Sequence, residues 1–309
     1  MKIEKITIVG MGALGVMYGD FLTEKLGKEH VGFVANRERI NKYKKEGVFC
    51  NGRRCDFTVV DEETQGEPTD LLIFAVKATG LEEAIHTVRN QISENTIIIS
   101  VLNGISSEDV IGREYGMDKI IHCTVQGMDT TKIGNKVKYM QFGNICLGLD
   151  EENEDKKDKL EAVLDLFRKI EMPYVLEEDI MRRIWGKFML NVGLNQSVMI
   201  YEGNYGTVQK PGRARDLMQD AMQEVITLAN MENININQKD FDDYIELVDN
   251  MNPSGMPSMR QDGLQKRKSE VELFSGTVIR LADKHNIDVP VNREIYETVK
   301  KVEDGYNAI

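Results

Sequence analysis

The sequence predicts an α/β protein in two parts, a doubly wound parallel sheet followed by an all-α domain. Short apolar runs alternate with amphipathic helical patterns over roughly the first 125 residues, and only helical patterns occur after about residue 180. The length of 309 residues also exceeds the size at which a single core usually stops growing. We therefore predict two domains, residues 1–178 and residues 179–309.

The predicted strands are apolar along nearly their whole length, which is typical of a parallel sheet covered by helices on both faces. They are, in chain order, KITIVG, HVGFVA, DLLIFAV, TIIISVLN and KIIHCTV. The predicted helices between them begin near Ala13 and then cover RINKYKKEG, GLEEAIHTVRNQI and SSEDVIGREYG.

Three further stretches complete the predicted secondary structure. KVKYMQFGNICLGL contains two β-like runs divided by Gly143, which predicts an antiparallel extension at the edge of the sheet. The mixed-charge run DEENEDKKDK at 150–159 predicts a solvated helix start. The second domain is predicted to contain helices at 180–201, 211–231, 238–251, 258–285 and 292–305.

Composition excludes several classes of partner. With 51 acidic and 39 basic residues the net charge is -12, which repels nucleic acid and anionic membranes, although a helix N-terminus can still bind a small anion. The four cysteines show no metal-ligand spacing, and no metal site is predicted. The sequence has no signal-peptide pattern and no membrane-spanning apolar run, so we expect a cytoplasmic protein.

The stretch ITIVGMGALG carries glycines in G-x-G-x-x-G spacing directly after a strand and at the start of a helix. Gly10 allows a tight turn, Gly12 lets the backbone approach a pyrophosphate, and Gly15 lets the helix and strand pack closely. The alternative is that the three glycines only form a turn, but the strand and helix around them favour a Rossmann-type dinucleotide site. The predicted cofactor contacts here are Gly10, Gly12, Ala13, Leu14 and Gly15.

Residues about 20 positions beyond this loop bear on the choice of cofactor. NAD-binding proteins usually have Asp or Glu there to bind the ribose 2′-hydroxyl, whereas this chain has Asn36 and Arg37, with Arg39 just beyond. Arg37 together with Asn36 could bind a 2′-phosphate through charge-assisted hydrogen bonds. NADP is therefore favoured over NAD, the alternative being that these arginines only face water at a helix start.

Lys77 and Asn103 each follow a predicted parallel strand. Ligands of open α/β sheets bind beyond the carboxyl ends of the strands, so both side chains are expected at the cofactor crevice. The alternative for each residue alone is ordinary: a solvated lysine, and an Asn-Gly turn.

The stretch IWGKFMLNVGLNQ places Lys187, Asn191 and Asn195 at steps of four within an apolar helix. In an α-helix they form one polar stripe roughly 12 Å long. Apolar surroundings disfavour a lysine's charged form, which makes it a usable acid or base. The alternative is a lysine that extends to solvent beside two amides that bind backbone groups.

Five motifs spread over essentially the whole chain form a set. They are GMGALG, AVKATG around Lys77, LNG around Asn103, WGKFMLNVGLNQ around Lys187, and SMRQD with KSEVELFSG toward the end. Together they resemble the ketopantoate reductase family. The resemblance implies a Rossmann domain and a helical domain with the active site in the cleft between them. It also implies NADPH-dependent reduction of the 2-oxo acid 2-dehydropantoate to pantoate, a step toward pantothenate and coenzyme A.

The resemblance assigns catalytic roles to Lys187 and Glu270. Lys187 matches the lysine that protonates the carbonyl oxygen as hydride arrives, and a cation beside developing negative charge suits that chemistry. Glu270 matches a glutamate that engages the substrate near the lysine, while Glu272 should face elsewhere on the helix. Without the resemblance, Glu270 would be interpreted as an exposed carboxylate that pairs with Lys266.

The remaining site residues follow from the same resemblance. Asn191 and Asn195 match substrate-binding amides, and Ser258 matches a serine that contacts the substrate carboxylate. Ser258 after Pro257 is also a plausible helix N-cap. The residues expected on the nicotinamide side are Lys77 and Asn103.

Two positions depart from the family pattern. The family commonly has arginine where Asn36 stands, and often has asparagine where Gly255 stands, three residues before Ser258. The first departure leaves the choice between NADP and NAD open, and the second leaves open another branched 2-oxo acid as substrate. A non-catalytic NADP(H) sensor of the same fold is the alternative from another functional class, and the sequence leaves a homodimer open.

Overall fold

A computed structural model of the chain describes residues 1–149 and 156–307. The chain divides into two compact units, Met1–Ile180 and Met181–Ile309. The described part of the first unit contains a parallel sheet with helices, and that of the second contains only helices. The predicted fold class is therefore confirmed.

The first unit contains all the strands that the structure describes. They are β1 Ile6–Val9, β2 Val31–Ala35, β3 Phe49–Cys50, β4 Arg53–Arg54, β5 Thr58–Asp61, β6 Leu71–Phe74, β7 Ile97–Ser100, β8 His122–Gln126, β9 Thr131–Ile133, β10 Lys136–Lys138, β11 Asn144–Gly148 and β12 Tyr174–Leu176. Its α-helices are α1 Ala13–Leu26, α2 Arg37–Glu46, α3 Leu81–Thr87, α4 Ser107–Tyr115 and α5 Lys157–Ile170.

The central sheet is parallel, with its strands in the order β5-β2-β1-β6-β7. Alternate residues of each inner strand enter different cores, because side chains alternate across a strand. In β6, Leu71 and Ile73 belong to one buried cluster, and Leu72 and Phe74 belong to another. Both faces are covered, which is why these strands are apolar along their whole length.

The two β-like runs divided by Gly143 form antiparallel pairs, as predicted, but with different partners and in separate sheets, and neither extends the central sheet. β10 pairs with β9 and β3, whereas β11 lies in another sheet between β8 and β12. Gly143 has φ +70°, and a Cβ on it would lie 2.2 Å from the Gln126 carbonyl oxygen. The chain at Gly143 therefore passes close against β8 instead of turning back onto β10.

The prediction of a solvated helix start at 150–159 is wrong for Lys156, and residues 150–155 lie outside the described part of the chain. Lys156 is 2% exposed. Its Nζ donates to the carbonyl oxygens of Ile120 at 2.8 Å and Met117 at 3.2 Å. Backbone carbonyls thus hold this ammonium group inside the unit.

The second unit consists of helices over its described residues. They are α6 Ile180–Leu190, whose first residue belongs to the first unit, α7 Gln196–Ile200, α8 Tyr205–Val208, α9 Arg213–Met231, α10 Gln238–Asp249, α11 Ser258–Leu264, α12 Ser275–His285 and α13 Pro290–Asp304.

Two of the predicted helices are interrupted. A π-helical segment, Asn191–Asn195, divides the helix predicted at 180–201. The helix predicted at 258–285 is two helices, because α11 ends where Lys266 adopts φ +50°. The guanidinium group of Arg267 then folds back to Asp262, with a shortest N–O distance of 2.6 Å.

Gly193 explains how the π-helical segment packs. A Cβ on Gly193 would lie 2.6 Å from the Met218 carbonyl oxygen and 2.5 Å from Met222 Cγ, both on α9. Only glycine allows this approach of two backbones, since a backbone carbonyl cannot move aside as a side chain can.

Replacing Gly193 with alanine should destabilise the second unit by about 1–3 kcal/mol, the usual cost of overpacking. Thermal unfolding of the nucleotide-free protein measures the effect. Gly66→Ala is the control, because a Cβ there meets nothing within 4 Å. Equal melting temperatures for the two variants would contradict this explanation.

Candidate functional site

The glycine loop follows β1 and leads into α1. Gly10 has φ +102°, and a Cβ on it would lie 2.6 Å from the Ala75 carbonyl oxygen. A Cβ on Gly15 would lie 1.9 Å from the carbonyl oxygen of Gly10. Packing within the protein therefore requires glycine at both positions, whether or not a ligand binds.

Gly12 differs from the other two glycines. A Cβ there would meet only the Ala75 carbonyl oxygen within 4 Å, at an ordinary contact distance of 3.4 Å. Gly12 is also the N-cap of α1, and among the described residues no side chain caps this helix. The first amides of α1, at Ala13 and Leu14, thus begin a helix whose N-terminus has room for an anion. This arrangement fits the pyrophosphate of a dinucleotide.

Lys77 and Asn103 lie at the same edge of the sheet as the glycine loop. β1, β6 and β7 are adjacent and parallel, and Gly10, Lys77 and Asn103 each come within three residues of a strand's carboxyl end. Lys77 is exposed and Asn103 is half-buried. The structure therefore places both residues at the edge where open α/β sheets bind ligands.

A buried polar cluster fixes the segment that follows Asn103. The Ser107 hydroxyl donates to Glu108 Oε2 at 2.6 Å and lies 2.8 Å from the Ser100 hydroxyl at the end of β7. Burial raises the pKa of Glu108 to about 7. No role was predicted for this cluster, although SSED after a strand was a signal of polar residues at a helix start.

Asn36 and Arg37 lie at the start of α2. Asn36 is its N-cap, and its Oδ1 accepts the backbone N–H of Arg39 at 2.9 Å. Arg37 Nε donates to Asp61 Oδ2 at 2.7 Å, and the arginine side chain is 81% exposed. The Glu63 N–H and the Arg37 guanidinium hold the pKa of Asp61 below its ordinary value. Arg37, the residue predicted to bind the 2′-phosphate, therefore has a carboxylate beside it.

The polar stripe of the second unit consists of Lys187, Asn191 and Asn195. Lys187 is half-buried in the last turn of α6, while Asn191 and Asn195 are 8% and 6% exposed. Asn195 Nδ2 donates to Asn191 Oδ1 at 3.3 Å. The two amides thus lie together, but in a π-helical segment and not in the regular α-helix that was predicted. Such segments occur frequently at functional sites.

Gln196, the last residue of IWGKFMLNVGLNQ, anchors the π-helical segment. It is fully buried, and its Nε2 donates to the Val192 carbonyl oxygen at 2.7 Å. Its Oε1 accepts the Ser275 hydroxyl at 3.0 Å, which ties the segment to the start of α12. No role was predicted for Gln196, although an amide next to Asn195 in an apolar helix was a usable signal.

Glu270 lies in a bend before α12, not within a helix. Its neighbour Ser269 donates both its backbone N–H, at 2.7 Å, and its hydroxyl, at 2.5 Å, to Oε1 of the buried Glu303. Glu272 instead accepts the Tyr296 hydroxyl at 2.6 Å. Glu272 thus pairs with Tyr296 of α13, whereas the segment at Glu270 is held through Ser269 by Glu303.

Ser258 is exposed at the first residue of α11. Pro257 is the N-cap of that helix, so the interpretation of Ser258 as its N-cap is wrong. A Cβ on nearby Gly255 would lie 2.8 Å from the ring of Tyr205. A side chain at 255 would require the Tyr205 ring to move, which gives a structural reason for glycine at this position.

Two kinds of feature do not occur in the described part of the chain. None of its helices has the length and apolar character to cross a membrane. Within the same residues, no group of three or more His, Cys, Asp or Glu side chains could bind a metal ion.

Family models match both units of the chain. The model described as ketopantoate reductase PanE/ApbA matches residues 6–151, and its C-terminal counterpart matches residues 179–303. The chain is 27% identical to 2-dehydropantoate 2-reductase of Aquifex aeolicus, covering 97% of both chains. It is 24% identical to the Pyrococcus abyssi enzyme of the same name, covering 96% of this chain and 97% of the relative.

Solved structures share the fold at lower identity. D-mandelate dehydrogenase with NADH and anilino(oxo)acetate superposes with a TM-score of 0.86 at 23% identity, covering 98% of this chain and 99% of the other. A PanE/ApbA family ketopantoate reductase from Ralstonia eutropha gives a TM-score of 0.81 at 20% identity with the same coverage. A dimeric ketopantoate reductase from Staphylococcus aureus gives 0.79 at 19% identity, covering 98% of this chain and all of the other.

Proposed function

Because this chain belongs to the ketopantoate reductase PanE/ApbA family of nicotinamide-dependent oxidoreductases, we propose that it is an NADPH-dependent 2-oxo acid reductase that converts 2-dehydropantoate to pantoate. The observation that carries this proposal is the polar stripe: a half-buried Lys187 followed by two buried amides in contact with each other. A cation beside paired hydrogen-bond donors suits a ketone whose oxygen gains negative charge during reduction.

The proposed reaction forms one C–H bond and one O–H bond. When bound, the nicotinamide supplies a hydride to C2 of the ketone. Lys187 Nζ gives a proton to the carbonyl oxygen as its charge develops, and then regains a proton from water. The amides of Asn191 and Asn195 orient the substrate, and Ser258 contacts its carboxylate. Glu270 engages the substrate near the proton donor.

The first unit supplies the proposed nucleotide contacts. The Gly12 backbone and the amides of Ala13 and Leu14 bind the pyrophosphate, because the protein leaves room there and the helix N-terminus is uncapped. Lys77 and Asn103 line the nicotinamide side. Their position at the carboxyl edge of the central sheet supports this assignment.

We propose NADPH as the preferred hydride donor because of Arg37. Arg37 donates to Asp61 through Nε. The two terminal amino groups of Arg37 donate no hydrogen bond to any residue of 1–149 or 156–307. These two groups could therefore bind a 2′-phosphate while Asp61 keeps the side chain oriented.

Arg37→Ala should weaken NADPH binding by about tenfold or more and leave NADH binding within about threefold, because only NADPH carries the 2′-phosphate. Titration of the two nucleotides by fluorescence measures both affinities. Lys44→Ala, an exposed cation on the same helix, is the control. Equal losses for NADPH and NADH would refute the 2′-phosphate role.

A second candidate substrate is a 2-oxo acid with an apolar or aromatic side chain. The Tyr205 ring lies where a side chain at 255 would be, which favours an apolar neighbour over an amide on that side. The D-mandelate dehydrogenase with which this chain shares its fold is bound to anilino(oxo)acetate.

Initial rates of NADPH oxidation with a panel of 2-oxo acids test the proposal. The panel contains 2-dehydropantoate, 2-oxoisovalerate and phenylglyoxylate, and we expect the highest kcat/KM for 2-dehydropantoate. A higher value for phenylglyoxylate would favour the second candidate. Tight NADPH binding without turnover of any member would favour the non-catalytic sensor instead. A homodimer and a cytoplasmic location stay predictions.

A further inference from the structure

Lys132 connects the β9–β10 hairpin to the glycine loop. Its Nζ donates to the carbonyl oxygen of Met11, the residue between Gly10 and Gly12. The hairpin is fixed along α1 as well, since the Thr130 hydroxyl contacts Met17 Sδ at 3.0 Å. A lysine distant in sequence therefore presents its ammonium group at the loop that a dinucleotide must approach.

The surroundings of Lys132 do not neutralise its charge. It is half-buried, and no carboxylate within the described residues lies at ion-pair distance from its Nζ. Burial and the like charge of Lys42 on α2 lower the pKa of Lys132. Arg53 on β4, in the same sheet, shows the contrast, because it pairs with both Asp20 and Glu24. Within residues 1–149 and 156–307, the partner of the Lys132 ammonium group is thus a single neutral carbonyl.

We propose that Lys132 is a phosphate-binding residue of the nucleotide site, contacting the pyrophosphate together with the first amides of α1. This inference rests on the proposed function, since it assumes that a dinucleotide binds at Gly12. A bound pyrophosphate supplies the negatively charged partner that no described carboxylate provides for the ammonium group. The same charge is attracted by the uncapped N-terminus of α1, so both groups act on one ligand.

A purely structural role would rest on the hydrogen bond to Met11 alone. Two variants separate the roles, because glutamine keeps an N–H donor without charge and arginine keeps the charge. A structural role predicts that Lys132→Gln behaves like the wild type. The pyrophosphate role predicts that Lys132→Gln loses nucleotide affinity and that Lys132→Arg retains most of it. Lys136→Gln, an exposed lysine of the same hairpin, is the control.

The experiment measures the Kd of NADPH and of NADH for the whole protein, and the melting temperature without nucleotide. We expect Lys132→Gln to weaken both nucleotides by about tenfold or more, because both carry a pyrophosphate. The loss should shrink between about 50 and 200 mM salt, as expected for a charge contact. The melting temperature should stay close to that of the wild type.

Several results would overturn the inference. Unchanged affinity in Lys132→Gln would do so, and so would a loss confined to NADPH, which would move the contact to the 2′-phosphate. A lower melting temperature in both Lys132→Gln and Lys132→Arg, with equal losses of nucleotide affinity, would show that the lysine side chain maintains the fold of the loop and does not bind the ligand. A wild-type protein that binds neither nucleotide would refute the proposed function itself, which keeps the two failures distinguishable.

Discussion

Replacing Lys187 with alanine should lower kcat for 2-oxo acid reduction by about 10²–10⁴-fold, the usual contribution of a positioned general acid. The variant lacks both the proton and the positive charge that meet the developing oxyanion. Its affinity for NADPH should stay close to that of the wild type, because the proposed nucleotide contacts belong to the first unit. Steady-state rates and nucleotide titration measure the two effects.

Lys301→Ala provides the control for this prediction. Lys301 is an exposed lysine on α13. Its replacement removes one positive charge, as Lys187→Ala does, but leaves the polar stripe unchanged. We expect it to keep the kcat of the wild type. Near-normal turnover in Lys187→Ala would show that another group donates the proton, even if the substrate is the proposed one.

Replacing Gly12 with alanine should weaken both NADPH and NADH by about 10–100-fold, because the new methyl group occupies the approach to the helix N-terminus. The protein itself accommodates this methyl group, since its nearest neighbour lies at 3.4 Å. The melting temperature without nucleotide should therefore remain close to the wild-type value. Nucleotide titration and thermal unfolding together measure the effect.

Gly15→Ala is the matched comparison within the same loop. Its Cβ would lie 1.9 Å from the Gly10 carbonyl oxygen, so we expect a lower melting temperature. The two variants thus separate a glycine that the ligand requires from one that the fold requires. Wild-type nucleotide affinity in Gly12→Ala would contradict the pyrophosphate assignment.

The parallel sheet could be predicted because its cause is local. Each residue of β6 enters one of two cores, and this gives the continuous apolar run visible in the sequence. The partners of the shorter strands could not be predicted in the same way. β10 and β11 are similar runs that pair in different sheets, and tertiary contacts around Gly143 decide this.

In the helical domain too, features that depend on tertiary contacts could not be predicted from the local sequence. Its apolar periodicity predicted helices, but not where α11 ends or where the π-helical segment begins. Asn191–Asn195 adopts that geometry where Gly193 packs against Met218 and Met222 of α9, which are distant from it in sequence. Lys156 was predicted to be solvated and is buried, because backbone carbonyls distant in sequence receive its ammonium group.

For the candidate site, residue types and spacing identified the glycine loop and the polar stripe. The roles assigned to Lys187, Asn191, Asn195, Ser258 and Glu270 stay predictions. Two of the residues without a predicted role, Lys132 and Gln196, bind partners distant in the chain, Met11 and Ser275 respectively. An amide in an apolar helix was a local signal for Gln196, but no local pattern identifies either partner.

Transfer of deuterium from labelled NADPH to the product is the most direct measurement of the proposed chemistry. The whole protein is given 2-dehydropantoate and NADPH deuterated at C4 of the nicotinamide on one face or the other, and the product is analysed by mass spectrometry. We predict pantoate labelled at C2 from only one of the two forms, and very little product from Lys187→Ala. Pantoate without label from either form, or no pantoate from a protein that binds NADPH, would contradict direct hydride transfer to this substrate.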